Sequence, residues 1–393
     1  MPVINRLADF QDDIVAWRRD FHRHPEILYD VHETAASVAE RLRSFGLDEV
    51  TTGIGRTGVV GVIRGRGAAG GRTIGLRADM DALPIRETTG KPYASTIDGR
   101  MHACGHDGHT AMLLGAARYL AETRNFEGTA VVIFQPAEEG GGGGKAMIED
   151  GLIDRWGIDE VYGMHNMPGI DVGAFGIRPG PIMASTDDFT IDVHGVGGHA
   201  AIPHESVDPV VVGAAIVQAL QSVVSRSVDP IASAVVSVTT FHAGDAHNII
   251  AETAHLSGTT RTLDPAVRDL AEGRIRTIVA SIAAAYGATA TLNYNRNYPI
   301  TRNHAVPTSL AAAVAADVVG PDRVDSHVAP MMGGEDFSYM LEERPGAFIF
   351  LGNGDSAGLH NPAYDFNDDA IPIGCSYWVR LVETALPLQG PDR

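Results

Sequence analysis

The sequence predicts an α/β chain, with a mixed, mostly parallel sheet interrupted by a smaller α+β insertion. Three observations lead there. β-branched runs alternate with helical apolar patterns along residues 12–165 and again after residue 302. Residues 130–134 are continuously apolar, as in a strand covered on both faces. Between residues 185 and 301 the order changes to strand, helix, strand, strand, helix, strand, which is the split ferredoxin-like unit. The expected division is a main domain of 1–184 with 302–393, and an inserted domain of 185–301.

Each element has its signal. Residues 12–24 read as a first helix stopped by Pro25, and 33–45 as a second stopped by Gly46. Runs 58–64 and 73–78 are β-rich, the latter leading into Asp79-Met80-Asp81. Met101-His-Ala-Cys104-Gly-His106-Asp-Gly-His109 follows, ahead of an apolar helix that reaches about Thr123. Strand 130–134 gives way to Gln135-Pro-Ala-Glu138-Glu139 and five glycines, and strand 160–164 delivers His165. In the insert, strands at 189–193, 234–240, 255–261 and 289–294 accompany two helices that open on Asp208-Pro209 and Asp264-Pro265. Each Asp-Pro pair supplies an N-cap and a first-turn proline. The main pattern resumes with a helix at 305–318 and another opening from 331–337. A strand at 347–351 then leads to His360, and a helix over 370–386 closes the chain.

At 393 residues the chain exceeds what one core usually serves, which fits two domains. A formal net charge of −19 argues against nucleic acid or an anionic membrane as partner, since both are bound through clustered Lys and Arg. Two cysteines, Cys104 and Cys375, make no disulfide framework. The N-terminus shows no signal-peptide pattern, and no uninterrupted apolar run approaches the ~20 residues that span a bilayer. A cytoplasmic location is expected.

In parallel sheets ligands bind beyond the carboxyl ends of the strands. Asp79, Glu138, Glu139 and His165 fall just after predicted strands, and the resumed sheet puts His360 at the same edge. Thiolate and imidazole hold borderline-soft divalent metals. Cys104, His106, Glu139, His165 and His360 therefore form a candidate metal set. One such histidine alone reads as a hydrogen-bonded core residue; five metal-type residues at strand ends read as a site. Five protein ligands exceed one zinc ion's usual three or four, so two metals ~3.5–4 Å apart fit better. Of the adjacent Glu138 and Glu139, one can ligate while its neighbour takes a proton from water. Asp79 suits a carboxylate that accepts a hydrogen bond from a ligand histidine. The glycines before Lys145 do not make a phosphate loop, because Glu139 stands where its first glycine belongs and Ala146 where Ser or Thr is needed. No Gly-x-Ser-x-Gly nucleophile elbow occurs. A glycine-rich turn at 195–200 displays His199.

Several strings, taken together, resemble one family. They are Arg77-Ala-Asp79-Met-Asp81-Ala-Leu-Pro84, the 101–109 string, Gln135-Pro-Ala-Glu138-Glu139-Gly140, Gly198-His199-Ala200, Gly334-Glu335-Asp336-Phe337 and Leu359-His360-Asn361. They resemble the hippurate hydrolase and N-acyl-amino-acid amidohydrolase branch of the di-metal aminoacylase/carboxypeptidase superfamily, to which plant auxin-conjugate hydrolases also belong. The resemblance spans nearly the whole chain. It implies a binuclear Zn²⁺ or Mn²⁺ site, with Co²⁺ and Ni²⁺ as alternatives, in which Cys104 bridges and His106, Glu139, His165 and His360 complete the set. Other branches carry a histidine where Arg77 stands and an aspartate bridge; here the resemblance gives those jobs to His106 and Cys104. It makes Glu138 the general base and then the acid. It makes 185–301 a lid and dimerisation domain, whose His199 reaches the site, in relatives often from the partner subunit of a homodimer. Asn248 and Arg261 resemble the groups that hold the substrate's carboxylate, although this chain reads Asn248-Ile249-Ile250-Ala251 where the family more often has Asn-Val-Ile-Pro. The implied substrate is a small N-acyl amino acid, cleaved to a carboxylate and a free amino acid. A metallo-dipeptidase or carboxypeptidase acting on unblocked peptides is the alternative.

Overall fold

The computed structural model describes residues 5–67 and 71–388. Two compact units divide the chain: Met1–Ile182 with Arg302–Ala329 and Asp336–Arg393, and Met183–Thr301 with Pro330–Glu335.

The first unit is built on an eight-stranded mixed sheet. Its order is Glu49–Ile54, Gly58–Arg64, Thr129–Gln135, Thr73–Asp79, Glu160–Pro168, Gly346–Gly354, Phe175–Gly176, Val324–Asp325. The central four, from Thr129–Gln135 to Gly346–Gly354, run parallel. Gly58–Arg64 joins them antiparallel, as does Phe175–Gly176 on the other side. Those central strands are buried almost without a break, so β-branched runs form them and their ends converge on one edge. Glu49–Ile54 has no counterpart among the expected strands. It is a half-exposed edge strand carrying Thr-Thr-Gly, with too few apolar positions to signal itself.

Helix His106–Thr123 buries 14 of its 18 residues, so it is a core helix covered on all sides and not an amphipathic surface one. Helices Gln11–Arg23 and Ile371–Ala385 pack against it. Gly115 permits that approach, because a Cβ there would stand 2.6 Å from Ile14 Cδ1 and 2.8 Å from Cys375 Sγ. The encased helix holds its N-terminal residue, His106, in a fixed place. The helix expected to open within 331–337 begins only at Ser338. Gly333-Gly334 disfavours a helix there.

Charged groups are buried beside the same helix. His22 Nδ1 lies 2.8 Å and Arg18 Nη1 3.5 Å from Asp107 Oδ2, and Arg18 Nε donates to Asp368 Oδ1 at 2.8 Å. Burial pulls the His22 ring down, but hydrogen bonding to Asp107 and Glu87 outweighs it and raises the ring from 6.5 to about 9. A folded value above the unfolded one stabilises the fold fully below pH 6.5, and that stabilisation disappears as pH rises to about 9. The thermal midpoint is therefore expected to fall over this window in the wild type and to change less in His22→Gln; equal pH profiles in a melting series would contradict it. Asp107→Ala would leave Arg18 with only Asp368 and His22 with only Glu87 as carboxylate partners, and a loss of stability of about 1–3 kcal/mol is expected.

The second unit has an antiparallel sheet ordered Ala234–Ala243, Thr253–Thr262, Ser185–His194, Thr289–Arg296. In chain order that is second, third, first, fourth, the ferredoxin-like arrangement. Phe189, Ile191, Val193 and Leu256 on the strands pack with Val212, Ile216, Leu220, Ile275 and Val279 on helices Pro209–Ser222 and Pro265–Ala285. Asp208 caps the first helix by accepting from Val210 N at 2.9 Å, and Asp264 caps the second from Ala266 N at 2.8 Å. Replacing either cap with Ala costs about 1 kcal/mol. The first helix continues into a wider turn, Val223–Ser227, and by length and mean hydropathy (1.4) is apolar enough to cross a membrane. Its stripe of Val212, Ile216, Leu220 and Val223 is nevertheless spent on this unit's own core, while Val210, Val211 and Val224 stay exposed.

Candidate active site

The site lies at the carboxyl edge of the first unit's parallel strands. Thr73–Asp79 ends in Asp79, Thr129–Gln135 leads to Glu138 and Glu139, Glu160–Pro168 carries His165, and Gly346–Gly354 leads to His360. Cys104 and His106 arrive on the turn into helix His106–Thr123. Gly105 makes that turn at φ 87°, where a Cβ would lie 2.2 Å from Asn166 Oδ1 and 2.6 Å from the Tyr364 hydroxyl. Only glycine fits.

Cys104, His106 and His165 each offer a donor atom, and the three lie within 4.8 Å of one another; Cys104, Glu139 and His360 do the same. The two triads share the thiol. Cys104 Sγ is 3.4 Å from His165 Nε2, and His360 Nε2 is 3.2 Å from Glu139 Oε1. His106 donates from Nδ1 to the Asp81 carbonyl at 2.7 Å, and His165 from Nδ1 to the Asn166 carbonyl at 2.6 Å. Both rings thus present Nε2 to the other donors, the tautomer a metal needs. His106 Nε2 is buried without a hydrogen-bond partner, and Glu139 Oε1, buried too, faces the His360 ring at 3.2 Å. Orphaned buried polar atoms are rare in folded proteins, and a thiol, three imidazoles and a carboxylate suit a borderline-soft divalent cation. The residues fit a metal.

Electrostatics agree with an ion-binding purpose. Burial, with Glu139, Glu138 and Asp79 nearby, pushes the Cys104 thiol well above its usual range. Burial opposes a charged His106, but Asp79, Asp81 and Glu139 win and lift it to about 10. Burial, aided by His109, holds His165 well below the ordinary imidazole value. Burial would raise Glu139, yet His360 and His106 keep it below the usual carboxylate value.

Asp79 differs from its expected role in one respect. Its Oδ1 lies 2.6 Å from His109 Nδ1 and its Oδ2 accepts from Arg77 Nη1 at 2.7 Å, whereas His106 Nε2 is 3.7 Å away. The histidine it holds is His109, one turn along the helix from His106, and none of the five donors. Arg77 also donates to Gln135 Oε1 and Asp336 Oδ1, both at 2.9 Å, tying three segments into one buried network. Asp81 was missed as a site residue. Its carboxylate accepts from the amides of Glu138 at 2.9 Å and Glu139 at 3.2 Å. The Asp79-x-Asp81 spacing after a strand was a visible signal; the amide partners, more than 50 residues away, were not.

In the second unit, His199 and Asn248 line one cleft of about 540 Å³. His199 Nδ1 accepts from Ala201 N at 3.1 Å, which puts its proton on Nε2. Arg261 is not among the residues lining that cleft; it is half-buried on Thr253–Thr262, donating from Nη1 to the Thr260 carbonyl at 2.9 Å.

A family model described as Peptidase family M20/M25/M40 matches residues 75–384. The chain belongs to this family. It is a hydrolase. Among M20 relatives, it is 43% identical to hippurate hydrolase of Campylobacter jejuni, over 97% of this chain and 98% of that one. It is 38% identical to N-acetylcysteine deacetylase of Bacillus subtilis, over 97% and 99%. A solved Bacillus subtilis structure, described as a dinuclear metal binding peptidase from the M20 family, superposes with a TM-score of 0.85 at 34% identity, covering 96% of this chain and 99% of the other.

Proposed function

We propose that this M20 chain is a two-metal amidohydrolase that cleaves N-acyl amino acids to a carboxylate and a free amino acid. One observation carries the reading: two donor triads sharing Cys104, with an orphaned buried nitrogen on His106, stand beside the Glu138 carboxyl. The likeness to a hippurate hydrolase and an N-acetylcysteine deacetylase supports the substrate class. Cys104, His106, Glu139, His165 and His360 would hold the ions, with Zn²⁺ or Mn²⁺ the best match to the donors and Co²⁺ or Ni²⁺ as alternatives.

Bound there, the ions would supply Lewis acidity, polarising the amide carbonyl and bringing the pKa of water toward ~7. The protein does the rest. Glu138 takes a proton from the attacking water and returns it to the leaving nitrogen. His199, carrying its proton on Nε2, is the proposed donor to the developing oxyanion. Asn248 and Arg261 bind the substrate carboxylate, a local attraction within a chain of net charge −19. A panel of hippurate, N-acetyl amino acids, indoleacetyl-amino acids and free dipeptides tests the reading. Amino-acid release from acylated substrates is expected; release from dipeptides alone would replace it with a peptidase.

The proposal includes a homodimer formed through the second unit. Val210, Val211, Val224 and Phe241 are exposed around helix Pro209–Ser222 and the edge strand Ala234–Ala243. Apolar side chains grouped beside an unpaired strand edge suit a second copy of the chain. Val211→Glu with Val224→Glu is expected to halve the mass seen by sedimentation; an unchanged mass would remove this surface from the interface. Cys104 and Cys375 are both buried and unpaired, which suits the reducing cytoplasm.

A further inference from the structure

Asp81 supplies no donor to either triad, yet three residues of the site rest on it. Its Oδ1 accepts the Glu138 amide at 2.9 Å, its Oδ2 accepts the Glu139 amide at 3.2 Å, and its main-chain carbonyl accepts His106 Nδ1 at 2.7 Å. The residue is 1% exposed, so water does not compete for those bonds. The turn it holds is under strain. Ala137, just before the glutamate pair, sits at φ 54°, in the left-handed region that residues with a Cβ avoid. Relaxation of Ala137 to a negative φ would re-aim Glu138 and Glu139 together, and the two amide bonds to Asp81 oppose it.

We propose that Asp81 is a positioning residue, which keeps Glu138 aimed for proton transfer and Glu139 within the metal set by clamping their two amides. The idea rests on the reading of Glu138 as the base. A carboxylate is required because both its oxygens are used as acceptors. An amide in its place offers one acceptor and turns an NH₂ toward the second backbone N–H. The His106 bond runs to the main chain and survives any substitution at 81. The clamp on the glutamates is therefore separable from the orientation of His106.

The test compares Asp81→Asn, Ala137→Gly and the double variant, all loaded to full metal occupancy with Zn²⁺ and assayed on hippurate below their melting temperatures. Asp81→Asn is expected to lower kcat by about 10²-fold with KM little changed, as a misaimed base does. Its Zn²⁺ affinity, read by chelator competition without any turnover, should fall about tenfold through Glu139. Ala137→Gly in the same chain should restore about tenfold in kcat, because glycine rests in the left-handed region without strain. A merely structural role would lower the melting temperature, leave kcat per folded chain intact and gain nothing from the glycine; that result overturns the proposal. Should Asp81→Asn fail to fold, Asp81→Glu keeps both acceptors but displaces them by a methylene, and wild-type kcat in that variant overturns it equally. Glu138→Gln, run alongside, separates the two ideas. If it is inactive while Asp81→Asn is unimpaired, only the clamp fails; if it turns over normally, the assignment of the base fails first.

Discussion

Glu138→Gln is expected to abolish measurable turnover while both metal triads still fill. The residue is 7% exposed and adjoins Glu139, whose buried Oε1 lies among the other donors, 3.2 Å from His360 Nε2. An amide there preserves shape but cannot accept a proton from water, and such a group contributes ~10²–10⁴ in rate. Because Glu138 lies in neither triad that shares Cys104, the substitution leaves those donors in place. Steady-state kinetics paired with metal analysis checks both halves. A variant that retains turnover would show that another group moves the proton. A variant that loses its metal would make Glu138 a ligand.

The second large effect concerns pH. Metal ligands must be deprotonated, and Cys104 and His106 resist this most when they stand alone. Burial and the surrounding carboxylates push Cys104 well above its usual range, while Asp79 and its neighbours lift His106 to about 10 against the opposing effect of burial. At neutral pH both carry protons that a metal ion must expel, so raising pH lessens the competition and tightens binding. His360 is also held above the ordinary imidazole value by its hydrogen bond to Glu139. With at least two protons displaced, apparent affinity should rise at least about a hundredfold per pH unit between pH 6 and 8, and Cys104→Ser should lower that rise by about tenfold per unit. Chelator competition across the range reads both slopes. An affinity independent of pH would contradict the electrostatic account.

Much of this was legible because burial writes itself into sequence. Strand Gly58–Arg64 coincides with the expected run, and Thr129–Gln135 exceeds it by one residue at each end, since strands buried on both faces need unbroken apolar stretches. The Asp-Pro openings of both helices in the second unit appear as N-caps. Glu49–Ile54 was not legible. Its Thr-Thr-Gly segment has no face to bury, and pairing with its neighbour alone makes it a strand. The convergence of Cys104, Glu139, His165 and His360 could be anticipated because strand ends in a parallel sheet share one edge. Which carboxylate serves which partner could not. Asp79 bonds His109 and Asp81 bonds the glutamate amides, choices set by atomic distances across more than 25 residues of chain. The left-handed backbone at Ala137 was equally hidden, since alanine rarely adopts a positive φ.

Amide cleavage is proposed to depend on two ions held by the Cys104-sharing triads. That dependence is tested most directly by stripping the protein with a chelator, returning Zn²⁺ or Mn²⁺ in measured equivalents, and following glycine release from hippurate. No release is expected from the stripped chain, and a rise to a plateau at about two equivalents per chain on reloading. Undiminished release from fully stripped protein would contradict it.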